Sequence, residues 1–275
     1  MSDRRPIGVF DSGVGGLTVA RALIDLLPDE RVVYFGDTAR FPYGTKTLEQ
    51  VRGYVDELVA WMTAADVKMI VAACNSATAA AIEPDDGVTL AAPVPVVGVI
   101  RPAVATAARA TRNGRVGVIG TAATVGSRSY EHAFDALAPD AEVFSQACPA
   151  LVSFVEEGRT TDPEVLAQVR ADLAPLIAAQ VDTMILGCTH YPLLTGVLSY
   201  VLGPDVLLIS SAEETARRVV SRLLDDDLLA DQRSGDHRFV ASGNADEFRH
   251  LALRFLGPRL AAVDVEYPWR ELASS

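Results

Sequence analysis

The chain alternates short apolar segments with longer amphipathic ones, and this alternation restricts its fold more than any other feature. The predicted strands are Ile7–Phe10, Arg31–Phe35, Met69–Ala72, Val96–Ile100, Val116–Ile119, Glu142–Ser145, Met184–Leu186 and Val206–Ile209. The predicted helices between them include Leu17–Leu27, Thr47–Ala64, Ser129–Leu137, Pro163–Ala179 and Glu213–Leu229. Apolar strands that alternate with helices indicate a parallel sheet covered on both faces. We therefore predict an α/β fold.

Two short internal similarities indicate that the chain contains two similar halves. The segment Ile7–Gly13 resembles Val116–Ala122, and Met69–Asn75 resembles Met184–Thr189 at nearly the same spacing. Each match alone is too short to carry weight, but the two together are typical of an internal repeat. We predict two similar parallel-sheet α/β domains that are related by a pseudo-two-fold axis.

The repeat also predicts where a ligand binds. We expect a discontinuous first domain of residues 1–98 plus 210–275, and a second domain of residues 99–209. Ligands of open parallel sheets bind beyond the carboxyl ends of the strands. Polar residues follow the four matched strands, and they are Asp11 and Ser12, Cys74 to Ser76, Thr121, and Cys188 to His190. Two facing domains would bring these residues together in one interdomain cleft, which we predict to be the active site.

The charge balance limits the partners of the protein. The chain has 275 residues, 36 acidic against 24 basic, and a formal net charge of −12. This charge argues against direct nucleic-acid binding and against a basic membrane-binding surface. Three cysteines do not form a disulfide framework, and the N-terminal residues show no long apolar region. We expect a cytoplasmic protein without a signal peptide or membrane contact.

The sequence offers few residues for the usual cofactors. The only lysines are Lys46 and Lys68, and neither stands where a pyridoxal-phosphate lysine is expected. The segment Gly13–Thr18 lacks the last glycine of a dinucleotide-binding loop, and Asp11 before it would repel a pyrophosphate. The four histidines and three cysteines do not form two pairs at metal-ligand spacing. We predict no metal and no organic cofactor.

Two of the cysteines stand where acid–base chemistry needs them. Cys74 and Cys188 each follow an apolar strand, whereas we expect Cys148 to be a buried and inert residue. With Asn75 and Ser76 as helix caps, the start of a helix would lower the pKa of the Cys74 thiol. Two thiols on opposite faces of a carbon acid can remove and return one proton each, which inverts a stereocentre. Contacts of about 3–3.5 Å to the reacting carbon predict sulfurs about 7 Å apart.

The residues alone leave the roles of several neighbouring polar groups open. His190 either stabilises a thiolate at Cys188 or is an ordinary capping and packing histidine. Asp11 and Ser12 either line the cleft or belong to a glycine-rich turn that lets a strand and a helix pack closely. Glu156 is by default a solvated acid on a helix.

Four motifs, in order along the chain, resemble those of the glutamate racemase family. They are Phe10–Leu17, Tyr34–Ala39 with Pro42–Gly44, Ala73–Ala77, and Gly187–Leu193. The last motif is the most specific, because relatives that act on aspartate or hydantoins depart from its Cys-Thr-His-Tyr-Pro sequence. The resemblance implies an isomerase that interconverts L- and D-glutamate without a cofactor. It also implies that the D-glutamate serves peptidoglycan synthesis, and thereby cell-wall biogenesis and cell shape.

The resemblance further implies a role for each matching residue. Cys74 would deprotonate D-glutamate and Cys188 would deprotonate L-glutamate. The residues that match assisting catalytic positions are Asp11, His190 and Glu156. The residues that match substrate-binding positions are Asp11, Ser12, Pro42, Tyr43, Gly44, Asn75, Ser76, Thr121, Thr124, Thr189 and His190. None of these positions is an arginine, so backbone N–H groups, hydroxyls and amides would hold the substrate carboxylates.

Family resemblance also bears on partners, and three other functions stay open. A homodimer is implied, and some relatives are reported to bind DNA gyrase, for which the acidic sequence gives no argument either way. The alternatives are a racemase for another acidic amino acid, a two-lobed binding protein that leaves its ligand unchanged, and a cysteine hydrolase that forms a thioester. Exchange of the α-hydrogen with solvent separates a racemase from a binding protein.

Overall fold

The chain forms two parallel β-sheets flanked by helices. The computed structural model describes residues 2–83, 90–233, 235–257 and 264–265. The strands are β1 (Ile7–Asp11), β2 (Val32–Gly36), β3 (Met69–Ala72), β4 (Val96–Gly98), β5 (Arg115–Gly120), β6 (Glu142–Ala147), β7 (Thr183–Gly187), β8 (Leu207–Ser210), β9 (Arg238–Ala241) and β10 (Asp264–Val265). The helices are α1 (Leu17–Leu26), α2 (Leu48–Ala64), α3 (Asn75–Ala77), α4 (Ile100–Ala110), α5 (Ala122–Gly126), α6 (Ser129–Leu137), α7 (Ala150–Glu156), α8 (Pro163–Ala178), α9 (Thr195–Leu202), α10 (Ser211–Asp225) and α11 (Ala245–Leu256).

The strand order shows the internal repeat directly. The first sheet has the order β10-β9-β2-β1-β3-β4, and the second has the order β6-β5-β7-β8. Every neighbouring pair in both sheets is parallel. The run β2-β1-β3-β4 of the first sheet corresponds to β6-β5-β7-β8 of the second, so β1 matches β5 and β3 matches β7. The predicted fold of two similar parallel-sheet α/β halves is confirmed, while the residue boundaries of the two domains stay a prediction.

Local sequence signals explain where the long helices begin. The Thr47 hydroxyl accepts a hydrogen bond from the N–H of Gln50, whose side chain accepts from the N–H of Thr47 in return, and this capping box opens α2. The Asp162 carboxylate accepts from two backbone N–H groups at the start of α8, and Pro163 occupies the first helical position. These helices cover sheets whose central strands β1, β2, β3 and β7 are buried along their whole length.

Several predicted boundaries were wrong, and each has a local cause. The strand predicted to reach Ile100 ends at Gly98, because Ile100 already begins α4. The helix predicted over Glu213–Leu229 is α10, which begins at Ser211 and ends at Asp225 within an acidic cluster. Strands β9 and β10 were not predicted, since each is short and β9 begins at the charged residue Arg238.

Lys68 and Cys148 are both buried within the fold, as was predicted for Cys148. Lys68 is buried, and its ammonium contacts the Glu30 carboxylate at 2.6 Å. The same ammonium donates to the carbonyl oxygens of Asp3 and Leu228, so the buried charge is paired and hydrogen-bonded within the protein. Cys148 is buried in the larger hydrophobic cluster. Within the described ranges, no helix has both the length and the apolar character that a membrane span requires.

Candidate active site

The carboxyl ends of the matched strands of both sheets meet at one cavity of about 510 Å³. Its volume lies within the usual range for small-ligand sites. The cavity is lined by Ser12, Phe41, Pro42, Tyr43, Gly44, Thr45, Cys74, Asn75, Ser76, Thr121, Ala122, Pro149, Ala150, Val152, Ser153, Glu156, Cys188, Thr189 and His190. The first sheet supplies Cys74 after β3 and the second supplies Cys188 after β7. Two thiols from the two halves of the repeat therefore line one cavity.

The Cys74 thiol stands among groups that keep its proton in place. It is 6% exposed, and its Sγ lies 3.8 Å from the Ser12 hydroxyl oxygen. Burial and, next, the charge of Asp11 raise the pKa of Cys74 to about 12, although hydrogen bonds from the N–H of Ala77 and the Ser12 hydroxyl act in the opposite direction. The sequence predicted a lowered pKa, and this was wrong because desolvation outweighs the helix start. Cys74 itself holds the N-cap position, so Asn75 and Ser76 are not caps.

The Cys188 thiol contacts a histidine, and that histidine contacts a glutamate. Its Sγ lies 3.8 Å from His190 Nδ1, and His190 Nε2 lies 3.2 Å from the Glu156 carboxylate. Burial by itself lowers the pKa of His190, but the hydrogen bonds to Cys188 and Glu156 raise it to about 10. At neutral pH the ring is therefore an imidazolium, a positive charge beside the Cys188 sulfur. The two cysteines thus stand in electrostatically opposite surroundings.

The raised pKa of His190 predicts a pH-dependent stability. A group whose pKa is raised on folding stabilises the folded protein in its protonated form. For His190 this contribution is complete below the ordinary histidine pKa of 6.5 and is lost as the pH rises through about 10. The difference in unfolding free energy between the parent protein and His190→Asn should be largest near pH 6 and should shrink toward pH 10. Urea unfolding across this range measures it. Exposed His250→Asn is the control, with little effect at any pH. A difference that grows with pH would contradict the assignment.

Two residues assigned to the substrate do not line the cavity. Asp11 is fully buried, and its Oδ2 accepts from the N–H of Gly13, while no described residue pairs with its Oδ1. Thr124 lies behind Thr121, and the two hydroxyls bond to each other and to Ser76. Asp11 therefore does not line the cavity, and its charge raises the pKa of the Cys74 thiol. Thr124 supports the hydroxyls that do face the cavity.

The loop that carries Pro42, Tyr43 and Gly44 is held by one buried carboxylate, Asp37. Tyr43 lines the cavity, but its hydroxyl donates to Asp37 Oδ2 and is therefore not free for a ligand. The Ser242 hydroxyl donates to Asp37 Oδ1 at 2.7 Å, and the Arg40 guanidinium donates to Oδ2 at 2.6 Å. Asp37 thereby joins the loop after β2 to the loop after β9. This role was not predicted, because Ser242 lies 205 residues from Asp37 along the chain.

Removal of the Asp37 carboxylate should destabilise the protein and weaken substrate binding together. Asp37→Ala leaves the buried Tyr43 hydroxyl without its acceptor, which costs about 1–3 kcal/mol, and it removes one of the carboxylates that the Arg40 guanidinium contacts, while Glu57 remains. We expect that loss in chemical denaturation, together with a raised KM. Asp246→Ala is the control, because Asp246 pairs with Arg249 at the surface and should cost less than about 1 kcal/mol. Equal costs for the two variants would contradict this interpretation.

Two glycines allow the halves of the molecule to approach closely at the cavity. A Cβ atom at Gly15 would lie 2.3 Å from Thr189 Oγ1 and 2.5 Å from ring atoms of His190. A Cβ atom at Gly44 would lie 2.7 Å from the Cβ of Thr121. The Thr18 hydroxyl donates to the carbonyl oxygens of Gly15 and Thr189, which fixes the first contact. Strand–helix packing was one of two interpretations left open for this turn, and Gly16 fits it, since a Cβ atom there would lie 2.5 Å from the Cβ of Asp11 at the end of β1. Gly15 packs instead against the segment that follows Cys188.

On the wall of the cavity formed by α7, the sequence predicted Glu156 and none of the other lining residues. Helix α7 and the residue before it contribute Pro149, Ala150, Val152 and Ser153. Ser153 stands one helical turn before Glu156 and thus on the same face, a spacing that the sequence already contains.

Phe41 also lines the cavity and packs beside the His190 ring at a centroid distance of 6.2 Å. No group of three or more metal-ligating side chains occurs among the described residues.

The fold and the site together define a two-lobed α/β enzyme in which each lobe supplies one thiol to a shared cavity. The chain belongs to the Asp/Glu/Hydantoin racemase family, whose model matches residues 14–219. The glutamate racemase of Beutenbergia cavernae is 55% identical over 273 residues, which cover 96% of this chain and 93% of that protein.

Solved structures agree with this assignment. Glutamate racemase isoform RacE1 from Bacillus anthracis superposes with a TM-score of 0.89 at 42% identity, over 96% of this chain and 97% of that one. The glutamate racemase from Francisella tularensis, solved in complex with D-glutamate, gives a TM-score of 0.88 at 33% identity over 96% and 98% of the two chains. The family resemblance noted in the four sequence motifs is confirmed.

Proposed function

We propose that this chain is a cofactor-independent glutamate racemase that works with two acid–base residues, Cys74 and Cys188. The observation that carries the proposal is that the two thiols come from equivalent positions of the two sheets and line the same cavity. Proton removal from one face of a carbon and return to the other needs this arrangement. The name of a relative that is 55% identical, a glutamate racemase, supports glutamate as the substrate.

The unequal surroundings of the two thiols suggest their starting states. Cys188, as a thiolate beside the His190 imidazolium, would take the α-proton of L-glutamate and become a thiol, and the C–H electron pair would stay on the α-carbon. Cys74 would then give its S–H proton to the opposite face of that carbon. The products are D-glutamate, a Cys188 thiol and a Cys74 thiolate. The reverse reaction starts from this second state, so each direction uses one cysteine as the base and the other as the acid.

The energetic difficulty lies in the weak acidity of the α-hydrogen of an amino acid. In the proposed reaction no electron sink shares the carbanion charge, so hydrogen bonds and desolvation must stabilise it. Asn75 and Thr189 are both at most 5% exposed and line the cavity, so water competes little with their contacts. Ser12, Ser76 and Thr121 add hydroxyl groups at the cavity wall. We propose that these groups hold the two carboxylates and the ammonium of glutamate.

The wider setting follows from the same proposal. D-glutamate produced here would supply peptidoglycan synthesis in the cytoplasm. We propose a homodimer as the working form, and a mass measurement in solution by light scattering tests it. Gyrase binding rests on family analogy alone and enters no step of the mechanism.

Solvent exchange tests the proposed activity. The purified protein is incubated with L-glutamate in deuterated water, and circular dichroism and proton NMR follow rotation and α-hydrogen content. We expect a racemic mixture in which newly formed D-glutamate carries deuterium at the α-carbon. Unlabelled glutamate with unchanged rotation would mean that the protein only binds its ligand. Faster turnover of aspartate in the same assay would assign the family activity to a different acidic amino acid.

A further inference from the structure

The hydroxyl of Tyr130 makes one hydrogen bond that crosses between the two halves of the molecule at the cavity. Tyr130 lies on α6, which follows β5 of the second sheet, and it is 1% exposed. Its hydroxyl donates to Oδ1 of Asn75, which follows β3 of the first sheet, at 2.7 Å. Tyr130 itself does not line the cavity, whereas Asn75 does.

The two ends of the Asn75 amide are in different situations. Oδ1 has the tyrosine hydroxyl as its partner, while Nδ2 is buried and has no partner among the described residues. A buried N–H donor without a partner is costly, so its presence needs an explanation. Asn75 directly follows Cys74 in the chain, and both residues line the cavity. A ligand oxygen in the cavity would supply the missing acceptor.

The tyrosine sets which end of the amide is available to that ligand. Burial raises the pKa of Tyr130 well above its usual value, so the hydroxyl keeps its proton and remains a donor. The amide oxygen is the one partner of this hydroxyl among the described residues. A flipped amide would turn Oδ1 toward the ligand and repel a carboxylate oxygen.

We propose that Tyr130 is a positioning residue that holds the Asn75 amide with its N–H₂ end toward the substrate, and thereby selects a carboxylate over a carboxamide at that position. This proposal rests on the proposed racemase function, since it assigns the ligand oxygen to glutamate. Tyr130 acts through Asn75 and does not touch the substrate. The bond also joins the halves of the molecule, so the selecting amide is in place only when both lobes are.

A double-mutant cycle tests the proposal. Tyr130→Phe should raise the KM for glutamate about fivefold, the order of one net hydrogen bond, with a smaller change in kcat. Asn75→Ala should raise KM at least as much, and Tyr130→Phe in the Asn75→Ala background should add nothing, because the tyrosine has lost the group it positions. Additive effects of the two substitutions would overturn the proposal. Tyr200→Phe, at an exposed tyrosine, is the matched control.

A selectivity measurement separates positioning from a general structural role. Glutamine and isoglutamine, which replace the side-chain or the α-carboxylate by a carboxamide, are tested as competitive inhibitors. In Tyr130→Phe, the inhibition constant of one of these amides should come closer to the KM for glutamate. The reason is that the freed amide of Asn75 can rotate and accept an N–H from the carboxamide. An unchanged preference for both amides, with the parent protein still racemising glutamate, would overturn the role of Tyr130 alone. Failure of the parent protein to racemise glutamate would instead overturn the proposed function.

Discussion

Serine at either Cys74 or Cys188 should abolish racemisation, and the two variants should fail in complementary ways. General acid–base catalysis by one side chain contributes about 10²- to 10⁴-fold, and a serine hydroxyl is a far weaker acid than a thiol. A variant with one remaining thiol can still take a proton from one face and return it there. We therefore expect Cys74→Ser to exchange the α-hydrogen of L-glutamate only, and Cys188→Ser that of D-glutamate only.

Steady-state kinetics alone cannot show this difference between the two directions. Enantiomers have equal free energies in water, so kcat/KM must fall by the same factor in both directions for any variant. Deuterium exchange measured separately for each pure enantiomer, by NMR, does distinguish them. Cys148→Ser is the matched control, because Cys148 is buried outside the cavity and should leave most of the activity. Full activity in either the Cys74 or the Cys188 variant would contradict the two-base scheme.

Gly15→Ala should inactivate the enzyme although Gly15 carries no side chain that could react. The added methyl carbon would lie 2.3 Å from Thr189 Oγ1 and 2.5 Å from the His190 ring, so the segment after Cys188 must shift. A misplacement of about 1 Å near reacting groups can cost about 100-fold in rate, and we expect a loss of at least this size in kcat/KM.

A second glycine provides the control for that substitution. Gly53 is exposed in the interior of α2, and a Cβ atom there would meet nothing within 4 Å. Gly53→Ala should leave kcat/KM unchanged and stabilise the protein by up to about 1 kcal/mol, since alanine favours a helix. Thermal unfolding of both variants is needed beside the kinetics. A Gly15→Ala protein with normal activity would show that the contact with Thr189 and His190 is unimportant.

The features predicted correctly are those contained in a single strand and the few residues that follow it. Apolar β-branched runs marked the central strands, and the polar residues after them marked the carboxyl edge, so Cys74 and Cys188 were found together. The repeat between β1 and β5 was readable because both strands have the pattern apolar-Gly-apolar-apolar. These features depend on neighbours in the chain, and a sequence shows such neighbours directly.

Properties that depend on distant contacts were predicted poorly. The proton affinity of Cys74 is set mainly by burial, and the helix-start signal seen in the sequence is the smaller effect. The hydroxyl of Tyr43 is used by Asp37, and the amide of Asn75 is used by Tyr130, partners that lie 6 and 55 residues away. Burial and pairing of this kind arise only once the loops and helices are packed in the folded protein.

A crystal structure with D-glutamate bound in the cavity tests the central claim most directly. We predict that the Sγ atoms of Cys74 and Cys188 lie on opposite faces of the α-carbon, each about 3–3.5 Å from it and so about 7 Å apart. Sulfur atoms on the same face of that carbon, or a ligand that only one of them reaches, would contradict the account.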